Sequence, residues 1–201
     1  MNKKRSFPYK HSLAITGLAT TLAGCGIQSI PQAKNAVDAA QAEILNQYQR
    51  RSDLIPNLVA VVKGSAAHEK DTLEAVVNAR AKATQMQVNL SDAQSVQKFQ
   101  AAQAELGSAL ARLLVVSENY PQLKASESFR ELQVQLEGTE NRITVARQRA
   151  IASIQDFNNQ VTVFPTSLTN SFMFHYQPLP QWGADKDVKS LEQPPKVDFK
   201  K

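Results

Sequence analysis

The sequence is poor in the residues that most catalytic and nucleotide-binding sites require. Its 201 residues include seven glycines, three histidines and one cysteine. So few glycines argue against a Gly-rich phosphate-binding loop and against an all-β sandwich. The single thiol, Cys25, cannot form an intrachain disulfide, and no second cysteine is available to pair with a histidine as a nucleophile.

Metal-binding motifs are missing as well. His68-Glu69 is followed by Thr72 where a helical zinc-protease motif would have a second histidine. The Glu-x-x-His pairs of di-iron helical bundles are also absent. We therefore expect no catalytic residues, no metal site, no cofactor and no enzymatic activity.

The positive net charge of +5 comes from one end of the chain. Residues 1–24 contain Lys3, Lys4, Arg5 and Lys10 but no acidic residue, and the remaining charges nearly balance. This distribution favours targeting to a membrane over nucleic-acid binding.

The apolar run that follows is too short for a permanent membrane span. A helix over residues 13–23 would be about 16 Å long, whereas a bilayer core is about 30 Å thick. The run ends in Leu22-Ala23-Gly24-Cys25, which resembles the lipobox of bacterial lipoproteins. We expect residues 1–24 to be a signal peptide and Cys25 to be lipidated, for example with palmitate. The alternatives are an incidental cysteine behind an ordinary signal peptide and an N-terminal transmembrane helix.

A lipid anchor would fix both the attachment and the location of the protein. Each buried CH₂ contributes about 0.8 kcal/mol, so two or more acyl chains anchor stably. Gly26, rather than aspartate, follows Cys25. In a Gram-negative host this favours the outer membrane over the inner, with the protein facing the periplasm or the exterior.

Alternating spacings of three and four residues predict four long helices. Pro56 lies within the first helix and removes one backbone donor. We expect a kink near residues 51–56, or a break with Asp53 as a new cap, and a turn at residues 64–65. The predicted buried face of this helix comprises Val37, Gln41, Ile44, Tyr48, Arg51, Ile55, Leu58 and Val62.

The other three helices have equally regular buried faces. The second, over residues 66–87, presents Glu69, Leu73, Val76, Arg80 and Ala83. A polar turn at residues 89–92 leads to the third, which Pro121 closes and which presents Val96, Phe99, Gln103, Leu106, Leu110, Leu113, Ser117 and Tyr120. The fourth begins near Ser126, ends at Pro165 and presents Phe129, Leu132, Leu136, Thr139, Ile143, Ala146, Ala150, Ile154, Phe157 and Val161.

These helices predict an all-α fold, an antiparallel up-and-down four-helix bundle with an extended C-terminal segment. Short connections favour antiparallel neighbours, and the proline and glycine interruptions argue against a long dimeric coiled coil. The extended segment, with Phe172, Phe174, Tyr176 and Trp182, is expected to cover the core. The predicted domains are a signal peptide (1–24), a lipidated tether (25–33), the helical domain (34–182) and a flexible tail (183–201).

Charged residues lie on or beside the predicted buried faces. Burying a charge is costly unless it is paired, so we expect arginine–carboxylate networks. These either fix the register of the helices or form a polar groove that binds a partner. The candidate residues are Arg50, Arg51, Asp53, Glu69, Arg80, Glu118, Glu137, Glu140, Arg142 and Arg147.

An ordered series of motifs resembles the bacterial LemA family. Its signature is similar to NQYQRRSDLIPNLV at residues 46–59, ENYPQLKA at 118–125 and LEGTENRI at 136–143, and the resemblance covers about residues 36–182. It implies a four-helix bundle displayed outside the cytoplasm from an N-terminal membrane attachment, and it carries over no catalytic residues. Many members have Trp near residues 41–42 and Tyr-Asn at residues 149–150, both absent here.

Three functions are compatible with these features. We expect a membrane-anchored cell-envelope protein that acts as a scaffold or adaptor through contacts with unidentified envelope proteins, without binding nucleic acid. One alternative is a ligand-binding module whose Arg/Glu-rich groove takes anionic envelope components. The other is a hydrolase acting on envelope polymers through Glu137 or Glu140.

Overall fold

The protein is helical throughout the residues that the structure, a computed structural model, describes: 27–89 and 91–182. Within these ranges there is no β-strand, as the sequence predicts. Six α-helices are followed by a π-helical turn: α1 (Ser29–Ser65), α2 (Lys70–Gln85), α3 (Ala93–Ser117), α4 (Pro121–Ala125), α5 (Glu127–Thr162), α6 (Thr166–Thr169) and the π-helical turn Asn170–Phe174.

The chain divides into two compact units. Within the described residues, the terminal unit comprises residues 27–49 and 139–179, and the central unit comprises residues 50–138 and 180–182. The long helices α1 and α5 each contribute one part to each unit.

The buried faces predicted from sequence are confirmed almost residue by residue. All eight residues predicted for the first helix are buried. Of the residues predicted for the third and fourth helices, only Tyr120 and Leu132 are partly exposed rather than buried. Glu69 and Arg80, predicted for the second helix, are also partly exposed. The central unit has a continuous apolar core that includes Ile55, Leu58, Val76, Leu106, Leu113, Leu123 and Phe129.

Of the two alternatives predicted near Pro56, the break with Asp53 as a new cap is wrong. α1 continues from Ser29 to Ser65 with Pro56 inside it, and Asp53 is an exposed residue of the helix rather than a cap. α1 also begins earlier than expected, so residues 29–33 of the predicted tether are helical, with Ile30 and Ala33 buried.

The polar turn before α3 is confirmed by its hydrogen bonds. Asp92 Oδ1 accepts from the backbone N–H of Gln94 at 3.0 Å, and Asn89 Oδ1 accepts from the N–H of Ser91 at 3.0 Å. The first bond satisfies a backbone donor that the start of α3 leaves without a helical partner, and the second holds the turn before it.

Pro121 does more than close the third helix. It is the first residue of the short helix α4, a position where its missing N–H costs nothing. α4 places Leu123, which is fully buried, in the core of the central unit.

The chain after Pro165 is helical where an extended segment was predicted. Asn170 is the physical reason: its side chain accepts from the N–H of Tyr176 at 3.0 Å and donates to the Tyr176 carbonyl at 3.0 Å. These bonds hold the end of the π-helical turn, which stops at His175 in a left-handed conformation (φ 58°). Only residues 175–182 are irregular, so the extended segment is shorter than expected.

The tail end of the described chain covers the core as predicted. In the central unit Trp182 is 2% exposed, and its ring meets Phe99 edge-on at 6.1 Å. The predicted signal peptide, Cys25 and the tail at residues 183–201 lie outside the described residues.

Candidate functional site

Pro56 leaves one carbonyl of α1 without its helical donor, and a side chain from α2 supplies a substitute. Proline has no N–H, so the oxygen of Ser52, four residues earlier, receives no bond from within the helix. Arg80 Nε donates to that oxygen at 2.8 Å. This bond explains why α1 continues through Pro56 and why an arginine lies on the inner face of α2.

Arg51 is the most deeply buried charged residue described in the central unit. Its side chain is 3% exposed, and Nη2 donates to both the backbone oxygen and Oε1 of Gln103, at 3.1 and 2.5 Å. Gln103 is itself buried on α3. The guanidinium therefore ties α1 to α3 through neutral oxygens, as a buried charge requires hydrogen-bond partners.

Glu69 joins the connection before α2 to the connection after α3. Its Oε1 accepts from the phenol of Tyr120 at 2.8 Å. The hydrogen bond to this carboxylate, together with burial and the negative charge of Glu69, raises the pKa of Tyr120 above its ordinary value. The phenol therefore keeps its proton to a higher pH than an ordinary tyrosine does.

Arg147 belongs to the terminal unit and also donates to a neutral oxygen. Its Nη2 lies 3.0 Å from the hydroxyl of Tyr48. Two residues further along α5, Arg149 forms an ion pair with Glu43 of α1 at 2.8 Å. Sequence reasoning missed this pair because both residues lie outside the predicted buried faces.

The remaining candidates lie on the surface. Glu118 pairs with Lys124 at 2.5 Å and Glu137 accepts from Gln133 at 3.0 Å. The exposed members of the predicted set are Arg50, Asp53, Glu118, Glu137, Glu140, Arg142 and Arg147. In the described ranges no three His, Cys, Asp or Glu side chains are grouped so that they could hold a metal ion.

A groove that the sequence did not indicate lies in the central unit between the end of α1 and α2. Its volume is about 350 Å³, and its apolar lining comes from Val59, Leu73 and Val77. Lys63 and Lys70 add two cations, of which Lys70 lies 3.8 Å from Glu74. The lining residues are Val59, Lys63, Ala67, Lys70, Leu73, Glu74, Val77 and Asn78, none of them among the ten predicted candidates.

Comparison with known protein families assigns the chain. The model of the LemA family matches residues 40–199, most of the sequence. The chain belongs to the LemA family. No curated protein matches the sequence.

The LemA resemblance noted in the sequence now has a structural meaning. Its first motif, residues 46–59, contains Arg51, Ser52 and Pro56. In this LemA-family chain these residues take part in the bonds that join α1 to α2 and α3. None of the helices in the described part of the chain is both long and apolar enough to cross a bilayer.

Proposed function

We propose that this LemA-family protein is a lipid-anchored component of the bacterial cell envelope that acts without catalysis, as a scaffold or adaptor through protein–protein contacts. The anchor is the acylated Cys25, exposed after removal of residues 1–24. The protein faces the periplasm or the exterior; if the host is Gram-negative, the outer membrane is favoured over the inner. The N-terminal cations, the short apolar run and the lipobox-like sequence support this placement.

The observation that carries the scaffold role is the bonding of three candidate arginines, of which Arg51 is buried, Arg80 is partly buried and Arg147 is exposed. Arg51, Arg80 and Arg147 donate to amide, carbonyl and hydroxyl oxygens of the chain itself. A groove for anionic ligands would need such donors to face the ligand. Their engagement with the protein favours a structural role over ligand binding.

The helices are proposed to form an antiparallel up-and-down bundle. The support is that α2 and α3 pack together within the central unit. Connections of a few residues, at 66–69 and 86–92, are typical of antiparallel neighbours.

The contact surface is proposed to be the groove between α1 and α2. Val77 lines the groove and is 48% exposed, so a partner seated there would bury apolar surface that now faces water. Lys63 and Lys70 favour a partner segment that is apolar and carries acidic residues, since opposite charges steer association.

Membrane fractionation tests the anchor. In the native host, the protein should stay with membranes washed in carbonate and high salt, and Cys25→Ala should release it or leave it unprocessed. Gln28→Ala, just outside the lipobox-like sequence, is the matched control and should behave like the parent. Release of the parent protein by the wash, or no effect of Cys25→Ala, would overturn the proposal.

Site-specific photocrosslinking tests the contact surface. A photoreactive residue at Val77 should yield a defined envelope adduct that Lys63→Glu abolishes while helicity is unchanged. The matched control is Val115, an apolar residue of α3 that is 70% exposed but lies outside the groove lining. An identical adduct from Val115, or one indifferent to Lys63→Glu, would contradict a contact at the groove.

A further inference from the structure

Large apolar side chains are exposed along one short segment of the terminal unit. Phe172 is 82% exposed, Phe164 68%, Met173 57% and Leu168 53%. With Ile27 and Val163, which are also exposed, they form what we call the apolar cap. Exposed apolar residues that recur in one segment are typical of a contact surface rather than of ordinary protein surface.

The cap is held in position from below. Buried Asn170 donates to the carbonyl of Val161 at 3.3 Å and bonds both backbone groups of Tyr176. The ring of Tyr176 stacks on Phe174 at 5.8 Å and meets Phe157 of α5 at 5.7 Å. The segment is therefore fastened through its polar and inner aromatic residues, while Leu168 and Phe172, four residues apart, remain outside.

The cap lies where the chain reaches its predicted anchor. Ser29 Oγ donates to Gln160 Oε1 at 3.1 Å, so the start of α1 adjoins the end of α5, three residues before Val163. Cys25 precedes Ser29 by four residues, which span at most about 14 Å even when fully extended. A lipid attached to Cys25 would hold this end of the unit against a bilayer surface.

Formal charge is absent from both stretches of chain that meet there. Residues 27–33 and 157–182 contain no Asp, Glu, Lys or Arg. A charged side chain would resist transfer from water into the boundary between lipid headgroups and acyl chains, whereas phenylalanine, leucine and methionine favour that transfer.

We propose that the apolar cap inserts into the lipid surface beside the Cys25 anchor. The terminal unit would then contact the membrane both at the start of α1 and at the segment that follows α5. The inference rests on the proposed lipid anchor and adds a second, non-covalent contact. A lipid surface is preferred as the occupant because the anchor site is within reach of the cap and because residues 27–33 and 157–182 carry no charged side chain.

Fluorescence quenching by lipid measures this contact directly. The full chain is expressed in a bacterium that can process and acylate lipoproteins. It is then reconstituted into vesicles of phosphatidylethanolamine and phosphatidylglycerol that contain acyl-brominated lipid. Phe172→Cys is labelled with a small environment-sensitive fluorophore. Val145→Cys is the matched control, because Val145 is an exposed residue of the same unit about 22 Å along α5 from Gln160.

We expect the label at residue 172 to be quenched several-fold more strongly than the label at residue 145, and equally at all protein-to-lipid ratios. Equal quenching of the two labels would overturn the proposal. A label at 172 that is shielded only at high protein density would also overturn it, because the occupant would then be a second copy of the chain.

The parent chain separates this proposal from the one it rests on. Cys25 is its only thiol, so a lipidated chain takes up no label after denaturation. Uptake of label by the parent would refute the anchor itself. A blocked Cys25 together with no quenching at residue 172 would leave the anchor standing and refute the cap contact alone.

Discussion

The central unit and the terminal unit differ in which side chains depart from the usual rule of apolar residues inside and charged residues outside. The central unit directs charged side chains inward, where Arg51 and Arg80 bond to Gln103 and Ser52. The terminal unit holds Phe172 outward with most of its side chain in solvent. In the first case the side chain bonds to a partner within the fold, and in the second 82% of the residue's surface faces water.

This difference separates structural residues from contact residues. A buried arginine that completes the backbone bonding of a helix is explained by the fold. An exposed phenylalanine on a segment that the fold fastens firmly is explained by something outside the chain. Each prediction below tests one side of that distinction.

Removing the buried guanidinium should have the largest effect. Arg51→Ala leaves a cavity and deprives the Gln103 amide and carbonyl of their donor, so the free energy of unfolding should fall by about 3 kcal/mol. Urea unfolding followed by circular dichroism measures it. Arg112→Ala, an exposed arginine of α3, is the control and should change stability by less than about 0.5 kcal/mol. Equal effects would show that Arg51 contributes nothing as a buried donor.

Arg80 should matter because of Pro56. Arg80→Met keeps a long apolar stem but leaves the Ser52 carbonyl without a donor, so stability should fall by about 2 kcal/mol. Pro56→Ala restores the N–H that the helix lacks, and in that background Arg80→Met should cost about 1 kcal/mol less. A double-mutant cycle measured by urea unfolding gives the coupling free energy. If Arg80→Met lowers stability equally with Pro56 and with Ala at position 56, Arg80 does not replace the missing N–H.

The Tyr120–Glu69 bond should be visible in alkaline solution. Because the pKa of Tyr120 is raised in the folded protein, the bond stabilises the fold fully below the ordinary tyrosine pKa of 10.0, and this stability is lost as pH rises through the higher folded value. Tyrosinate absorbance, compared with Tyr120→Phe, isolates the titration. Glu69→Gln should lower the pKa of Tyr120 towards its ordinary value, and an unchanged titration would exclude Glu69 as the main cause.

Truncation in the apolar cap should have the smallest effect on stability. Phe172→Ala removes few contacts within the fold, so the free energy of unfolding should change by less than about 0.5 kcal/mol. Phe157→Ala, a buried phenylalanine of the same unit, should cost about 3 kcal/mol. Comparable losses in urea unfolding would mean that Phe172 belongs to the core and not to a contact surface.

Periodicity predicts the helices because burial follows the turn of the helix. The spacing of Val37, Ile44 and Ile55 already defines the inner face of α1, and the structure buries all three. The same spacing does not reveal which residue is the hydrogen-bond partner of a buried polar group. The partner of Ser52 is 28 positions away and that of Arg51 is 52 positions away.

The errors have the same origin. A break at Asp53 follows from local chemistry alone, and it fails because Arg80 repairs the bond that Pro56 removes. The helical turn before His175 depends on the tertiary and local bonds of Asn170, and α4 has only five residues, too few to show a period. The groove at Val77 could be predicted only by knowing that α1 lies beside α2, and no local sequence pattern gives that information.

The mass of the N-terminal peptide from the envelope-extracted protein tests the central claim most directly. The account predicts a peptide that begins at Cys25 and carries acyl chains on its sulfur and its amino group. A peptide that begins at Met1 and carries a free thiol at Cys25 would contradict the anchor, and with it the proposed placement of the protein on the membrane.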